Sequence, residues 1–280
     1  MNKIKTYSAK YRCNSSIFTA FKESISSAIS YKGQIILSTR KEIEGIYRQD
    51  AFGLFWSIAM PVLPMTVYMI LAYIKAFNTT ESMPFIFYIA VGMMIWLLMI
   101  TTIKSVMRSI KREAAILKTT NYPIFIVMLS QLGIVMFETI IRLVAVALIM
   151  LWFKVEIGFT NIPYMLFALA SATIFAFAVG MILSILDILV QDTRRVVDIF
   201  LRYGLFMSSV IFPFPTEGLF GFVNKFNFFN TYVNSIRDFL FFGHTEILST
   251  FIYTTIVGII LFLIATKLIY SLDYKVRAYL

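Results

Sequence analysis

The chain alternates between long apolar runs and short polar or charged segments. A helix needs roughly 20 consecutive apolar residues to cross a bilayer, and several runs from Phe52 onward are near that length. They predict six spans, at about residues 52–73, 85–103, 123–153, 163–190, 196–215 and 247–270. We therefore predict an all-α membrane protein with six transmembrane helices.

Two stretches of this pattern are irregular. The uncharged part of the fifth run, Tyr203–Pro215, is too short to cross a bilayer. This span must therefore use part of the charged helix before it, or cross incompletely. Residues 216–244 alternate aromatic side chains with asparagine and glycine, which predicts short helices that re-enter the far side of the membrane. Non-helical backbone at that depth has to be covered by protein or line a wet cavity.

The segment before the first span predicts an amphipathic helix over residues 34–50. Its charged residues lie opposite its apolar ones, which recur at helical spacing. The apolar positions are Ile36, Ile43, Ile46 and Tyr47, and the charged ones are Arg40, Lys41, Glu42, Glu44 and Arg48. Such a helix lies in the membrane interface with its apolar side toward the lipid. Glu44 and Arg48 are four residues apart and can pair on the wet side.

Composition supports the membrane assignment. The chain is 59% hydrophobic and only 14% charged, whereas a soluble domain is about a quarter charged. The net charge of +10 could indicate nucleic acid or a membrane surface. The basic residues flank the apolar spans, so the membrane is favoured and no nucleic-acid partner is expected.

The distribution of lysine and arginine predicts the orientation. Residues 1–51, 104–122, 191–195 and 267–280 hold nine, five, two and three of them. The opposite side holds Lys75, Lys154, Lys225 and Arg237. Basic residues favour the cytoplasmic side, so both termini are expected there. Residues 1–33 are predicted to be a mobile cytoplasmic tail with a short helix around Ser16–Ile29, residues 34–275 the transmembrane domain, and residues 276–280 a cytoplasmic end.

The sequence offers little catalytic chemistry. No glycine has the spacing of a G-x-x-x-x-G-K-[ST] phosphate loop, and no serine lies in a G-x-S-x-G turn. One histidine, His244, and one cysteine, Cys13, are too few for a clustered metal site. We therefore expect no catalytic, cofactor or metal site on this chain. If the protein pumps, its energy must come from another chain.

Two pairs of opposite charges have helical i, i+4 spacing. Glu138 and Arg142 fall near the middle of the third span, where each alone would cost about 2.5–3.5 kcal/mol. They are either a structural ion pair or polar residues that line a substrate path. Asp198 and Arg202 repeat the spacing at the start of the fifth span, where an interfacial pair is favoured.

Two further segments allow two interpretations each. The basic segment 104–122 either controls topology or forms a short helix that inserts into a cytoplasmic partner. The aromatic residues between Phe212 and Phe242 form either an interfacial belt or stacking surfaces for sugar rings.

Four motifs resemble the membrane subunit of ABC type-2 exporters, in particular the exporters of O-antigen and capsular polysaccharide. The first is Tyr47-Arg48, Phe52-Gly53, Trp56 and Pro61, which is similar to Y-R-x-x-x-L-G-x-x-W-x-x-x-x-P. The second is Ala114-x2-Leu117-Lys118-x2-Asn121-Tyr122-Pro123. The third joins Asp192-x-Arg194 to Ser208-Ser209-Val210-Ile211-Phe212-Pro213, and the fourth is Asn230-Thr231 with Arg237. The chain departs from the family pattern at Ser209 and Thr231, where the family usually has proline.

The resemblance implies a homodimer joined to two copies of a nucleotide-binding ATPase subunit, which would hold ATP and Mg²⁺. The interface helix and residues 104–122 would dock that subunit. The candidates are Arg40, Lys41, Glu44, Arg48, Arg108, Lys111, Arg112, Glu113 and Lys118. Residues 214–243 would form a periplasmic cap, with Phe220, Phe222, Phe228, Phe229, Tyr232 and Arg237 as substrate candidates. The implied substrate is a lipid-linked polysaccharide that crosses the bacterial inner membrane.

Two alternatives stay open at this point. One is a type-2 exporter of a small amphiphile or drug. The other is a membrane enzyme, for which only the scattered Asp187, Asp192 and Asp198 could supply acid groups.

Overall fold

The computed structural model describes residues 9–49, 63, 66–67, 70, 85–152, 154–155, 158–213, 218, 221, 224 and 226–279. Every regular element among these residues is a helix. The helices are α1 (Ala9–Asn14), α2 (Ile17–Ser30), α3 (Lys32–Gln49), α4 (Phe85–Arg112), α5 (Ala114–Thr119), α6 (Ile124–Trp152), α7 (Ile162–Leu189), α8 (Thr193–Gly204), α9 (Phe228–Phe242) and α10 (Leu248–Tyr279). Short 3₁₀ turns occupy Phe159–Asn161 and Leu205–Met207.

Four helices of the described chain are long and apolar enough to cross a membrane. They cover Phe87–Arg112, Ile124–Leu151, Phe159–Leu189 and Leu248–Tyr279, and they correspond to the predicted second, third, fourth and sixth spans. The predicted first span, residues 52–73, lies almost wholly outside the described residues. The predicted fifth span begins with α8, a helix of 12 residues. A 3₁₀ turn and non-helical backbone follow it up to Pro213.

Helix α4 is the centre of the bundle. It packs against both α6 and α7, and α10 packs on α7. The buried side of α4 includes Ile95, Met99 and Ile103. The close contact between α4 and α7 depends on Gly180, because a Cβ there would lie 2.9 Å from the Cβ of Val106.

The basic segment 104–122 is largely helical. Helix α4 continues through Lys104 to Arg112, and α5 follows after a break at Glu113. The predicted end of the second span at residue 103 is therefore too early for the helix. The physical reason is that the basic residues of its last turns pair with acids on neighbouring helices, so the backbone stays helical beyond the apolar run.

The residues after position 8 also differ from the predicted mobile tail. The expected short helix is present as α2, and α1 and α2 pack against α10. Arg12 forms an ion pair with Asp273 at 2.7 Å, and Phe21 makes an edge-on ring contact with Phe262. Apolar burial and an ion pair together fix this segment on the bundle.

Candidate functional site

A groove of about 710 Å³ lies between α3, α5 and the start of α6. We call it the α3–α5 groove. Its lining residues are Tyr31, Gln34, Leu37, Ser38, Lys41, Glu42, Glu113, Ile116, Thr120, Asn121, Tyr122, Val127, Ser130 and Gln131. The groove therefore combines apolar walls with charges of both signs, and it is the candidate docking site.

Helix α3, which forms one wall, is fixed to the bundle by polar contacts. Thr39 Oγ1 donates to the Ser130 carbonyl oxygen at 3.1 Å. Glu42 accepts from Gln131 Nε2 at 2.9 Å and pairs with Arg112 at 2.7 Å. Thr39 thus faces the bundle, Leu37 and Lys41 face the groove, and Glu42 lines the groove while it pairs with the bundle.

Helix α5, which forms the opposite wall, is fixed by the end of α10. Arg277 Nη1 donates to the carbonyl oxygens of Leu117 and Thr120, each at 2.7 Å, and Nη2 donates to that of Tyr122. The ring of Tyr122 meets Tyr31 edge-on. Burial raises the pKa of the Tyr122 hydroxyl, with smaller contributions from Tyr31 and Glu113.

Three of the predicted docking residues are engaged inside the subunit. Arg108 pairs with Asp198 at 3.0 Å, Lys111 with Asp187 at 3.4 Å, and Arg112 with Glu42 at 2.7 Å. Their charges hold α4 to α7, α8 and α3. These three residues therefore stabilise the packing of the subunit itself, while the side chains of Arg108 and Arg112 are 44% and 45% exposed. Their docking role stays a prediction.

The other docking candidates lie nearer the surface. Arg40 pairs with Glu44 at 2.7 Å on the exposed side of α3. Lys41 and Glu113 line the α3–α5 groove, and Lys118 is exposed on α5. The side chain of Arg48 lies outside the described residues, and with it the predicted Glu44–Arg48 pair.

The predicted pair of Asp198 with Arg202 is replaced by contacts to another helix. Asp198 lies 2.8 Å from Lys104 Nζ and 3.0 Å from Arg108 Nη2, both on α4. The i, i+4 interpretation was wrong as to the main partner, because α8 turns Asp198 toward the basic end of α4. Sequence spacing within one helix could not reveal this contact.

Asp187 was named from the sequence only as a scattered acid, and its ion-pair partners were not predicted. Its side chain is 1% exposed, and its two oxygens accept from Arg194 at 2.7 and 2.8 Å. The two residues lie on either side of the turn between α7 and α8, so no helical spacing connects them.

The intramembrane pair of Glu138 and Arg142 is confirmed, at 2.7 Å. Arg142 is buried and also lies 3.5 Å from Thr101 Oγ1 on α4. Glu138 is half-buried. The contact with Thr101 joins α6 to α4, and a role of the pair in lining a substrate path stays a prediction.

The described cap candidates, all on α9, pack into the bundle. Phe228 and Phe229 contact the ring of Phe175, and Phe229 also meets Trp96. Tyr232 is fully buried. The remaining cap candidates, Phe220 and Phe222, lie outside the described residues.

Arg237 is buried rather than exposed on the far side. Its guanidinium lies 3.5 Å from the centre of the Tyr88 ring. Nη1 donates to Asn234 at 3.1 Å and Nη2 to the Ser209 carbonyl oxygen at 3.0 Å. The third and fourth sequence motifs therefore meet in space, at the non-helical segment that follows α8. A Cβ at Gly92 would lie 2.5 Å from this guanidinium.

Comparison with known families gives one match, to the membrane family described as ABC-2 type transporter. It covers residues 33–241, well over half of the 280-residue chain. No individual curated protein is significantly similar to the chain.

The matched region begins with α3 and continues through nearly all of α9. It includes both walls of the groove, the ion pairs of α4 and the contact between the third and fourth motifs. With its membrane-spanning helices and this match, the chain belongs to the ABC-2 type transporter family, as the multi-pass transmembrane subunit of an ABC exporter that pairs with an ATPase subunit.

Proposed function

We propose that this chain forms the channel of an ATP-driven exporter that moves lipid-linked cell-surface polysaccharide, O-antigen or capsule, across the bacterial inner membrane. Two copies form the conduit, each bound to one copy of the ATPase subunit. ATP and Mg²⁺ are held by that partner, and both ends of each chain are cytoplasmic.

The observation that carries this proposal is the α3–α5 groove. Both of its walls are fixed to the membrane helices, α3 through Glu42 and α5 through Arg277. A displacement of α3 or α5 by a bound partner would therefore be transmitted to α4 or α10. This is the mechanical arrangement that a subunit driven by a partner requires.

Charge reversal in the groove tests the docking of the ATPase. Within the described part of the chain, Lys41 and Lys118 form no ion pair, so their replacement leaves the internal networks intact. The double variant Lys41→Glu with Lys118→Glu should lose most of the ATPase that copurifies with the tagged wild-type chain. Lys275→Glu, at an exposed lysine near the end of α10, should retain it. Equal retention by both variants would contradict the docking site.

The polysaccharide substrate rests on the order and spacing of the four motifs. The substrate role of Tyr232 and Arg237 is not retained, because both side chains are buried within the subunit. We assign them to holding α9 in place. Phe228 and Phe229 are half-buried and stay candidates.

Stimulation of ATP hydrolysis distinguishes the substrates. The reconstituted complex should hydrolyse ATP faster with a lipid-linked glycan than with small amphiphiles at equal concentration. If only the amphiphiles stimulated hydrolysis, the proposal of a polysaccharide substrate would be wrong, and the chain would belong to an exporter of a small molecule.

The membrane-enzyme alternative finds no support at the aspartates. Asp187 is buried with both oxygens occupied, and Asp198 is paired with Lys104 and Arg108. Asp192 is an exposed residue that pairs with Arg195 at 3.4 Å. The three carboxylates serve separate ion pairs and do not form one site.

A further inference from the structure

Helix α2 lies before the region that matches the ABC-2 family, which begins at residue 33. It has three faces. Ala20 and Ser24 are buried against the bundle. A second face is polar and a third is apolar and exposed. The polar face carries Thr19, Lys22, Ser26 and Ser30, and the apolar face carries Ile17, Phe18, Ile25 and Ile29.

The apolar face is large for a surface that touches water. Phe18 is 74% exposed and Ile29 is 65% exposed. At about 3.6 residues per turn, Phe18, Ile25 and Ile29 fall on one side of the helix. A contiguous apolar patch of this kind indicates a partner.

The contacts of α2 with α10 show the direction in which this face points. Phe21, at the edge of the apolar face, meets Phe262, whereas Glu23, on the opposite side, accepts from the Tyr270 hydroxyl at 2.5 Å. Phe262 lies eight residues before Tyr270, which is ~12 Å further along the helix axis. Phe262 belongs to the apolar part of α10, whose charged residues begin at Lys267 and continue beyond Tyr270. The apolar face of α2 is therefore on the side of the membrane interior.

The surrounding residues indicate lipid rather than another protein. Ile259 and Ile260, within one turn of Phe262, are exposed on a helix long and apolar enough to span the bilayer. The apolar face of α2 continues this lipid-exposed surface. Lys22 lies at the border between its apolar and polar faces, where a cation can reach lipid phosphates.

We propose that α2 is a second interfacial helix, in addition to α3, and that the occupant of its apolar face is the adjoining bilayer leaflet. Phe18, Ile25 and Ile29 insert among the acyl chains, and Lys22 meets the phosphate layer. Since Arg12 and Glu23 connect this segment to α10, the helix fixes the charged end of α10 at the membrane surface.

Spin labels measure the depth of each face. The single cysteine, Cys13, is replaced by serine, and Phe18→Cys, Ile25→Cys or Ser26→Cys is then introduced and labelled with a nitroxide. Each full-length chain is reconstituted in phosphatidylethanolamine–phosphatidylglycerol vesicles. Accessibility is measured to oxygen, which concentrates in the bilayer, and to nickel ethylenediaminediacetate, which stays in water.

The ratio of oxygen to nickel accessibility should be higher at positions 18 and 25 than at position 26, the matched control on the polar face. Similar nickel accessibility at all three positions would place the face in water and overturn the proposal. Labels at 18 and 25 that are immobile and reached by neither reagent would indicate a protein partner and would also overturn it. The second apolar position keeps the test valid if Phe18→Cys fails to fold.

Discussion

At the residue scale, the carboxylate of Asp187 is buried and pairs with two cations. Its two cations, Arg194 and Lys111, come from α8 and α4. Replacing one member of a buried ion pair leaves charge uncompensated, at a cost of about 3–5 kcal/mol. Because the cations left behind, Lys111 and Arg194, are 32% and 38% exposed, we expect Asp187→Asn to cost less than that, about 1.5–3 kcal/mol, the usual contribution of hydrogen bonds to a charged group.

Thermal unfolding of the detergent-solubilised protein checks this expectation. The unfolding midpoint of Asp187→Asn should be lower than that of the wild type. The matched control is Asp192→Asn, which removes an exposed pair with Arg195. Surface pairs contribute less than about 1 kcal/mol, so its midpoint should barely move. Equal shifts in the two variants would show that burial of Asp187 does not matter.

The contact of Gly92 with Arg237 gives a second prediction at this scale. An added Cβ would lie 2.5 Å from Arg237 Nη2 and 2.9 Å from the Val210 carbonyl oxygen. Neither can move freely, because the arginine is fully buried and the oxygen belongs to the backbone. Gly92→Ala should destabilise the protein by about 1–3 kcal/mol.

Gly33→Ala is the control for that variant. No atom lies within 4 Å of a Cβ at Gly33, so alanine should change stability by between zero and a gain of about 1 kcal/mol. The same thermal midpoint is measured for both variants. A neutral Gly92→Ala would mean that the Arg237 contact is looser than described.

Some side-chain contacts could be predicted from the sequence, and others could not. The Glu138–Arg142 pair follows from i, i+4 spacing within one helix, and the structure confirms it. The partners of Asp187 and Asp198 could not be predicted, because they lie on different helices. Arg237 was assigned to the substrate-binding side of a cap, and neither charge counting nor the motif could predict its burial against Tyr88.

At the scale of elements, α5 depends on α10 for its position. Arg277 donates to three carbonyl oxygens at the end of α5 and in the turn after it. Arg277→Ala should therefore loosen α5 without unfolding the spans. Hydrogen exchange of residues 113–122 should become faster, while exchange in α4 and α7 stays unchanged.

Lys275→Ala serves as the control, since Lys275 is exposed two residues away on the same helix. It should leave exchange in residues 113–122 at the wild-type rate. If Arg277→Ala also left exchange there unchanged, α5 would be held by other contacts, and Arg277 would not fix this wall of the groove.

Element boundaries were predicted well where apolar runs end at neutral turns, and poorly where charges follow. The predicted interface helix begins at residue 34, two residues after the start of α3 at Lys32. The second span was ended at residue 103, although α4 continues to Arg112. Charged residues mark the end of the apolar layer, but they do not end a helix whose charges have partners.

At the scale of the whole molecule, the sequence predicted the class of fold and four of the spans that the described residues contain. It also identified the family that the comparison shows. The packing of residues 9–30 on α10 was not predicted, because Ala20, Ser24 and Arg12 show no pattern until α10 is beside them. The dimer, the substrate and the orientation stay predictions.

The central claim is that an ATPase subunit occupies the α3–α5 groove, and photo-crosslinking from the groove wall tests it most directly. Leu37 lines the groove and is 51% exposed, whereas Ile140, 58% exposed, lies on the membrane span α6. A photoreactive phenylalanine is placed at either position in cells that express the ATPase. We predict a covalent adduct from position 37 that contains the ATPase subunit, and none from position 140. No ATPase adduct from position 37, or equal capture from both positions, would contradict the account.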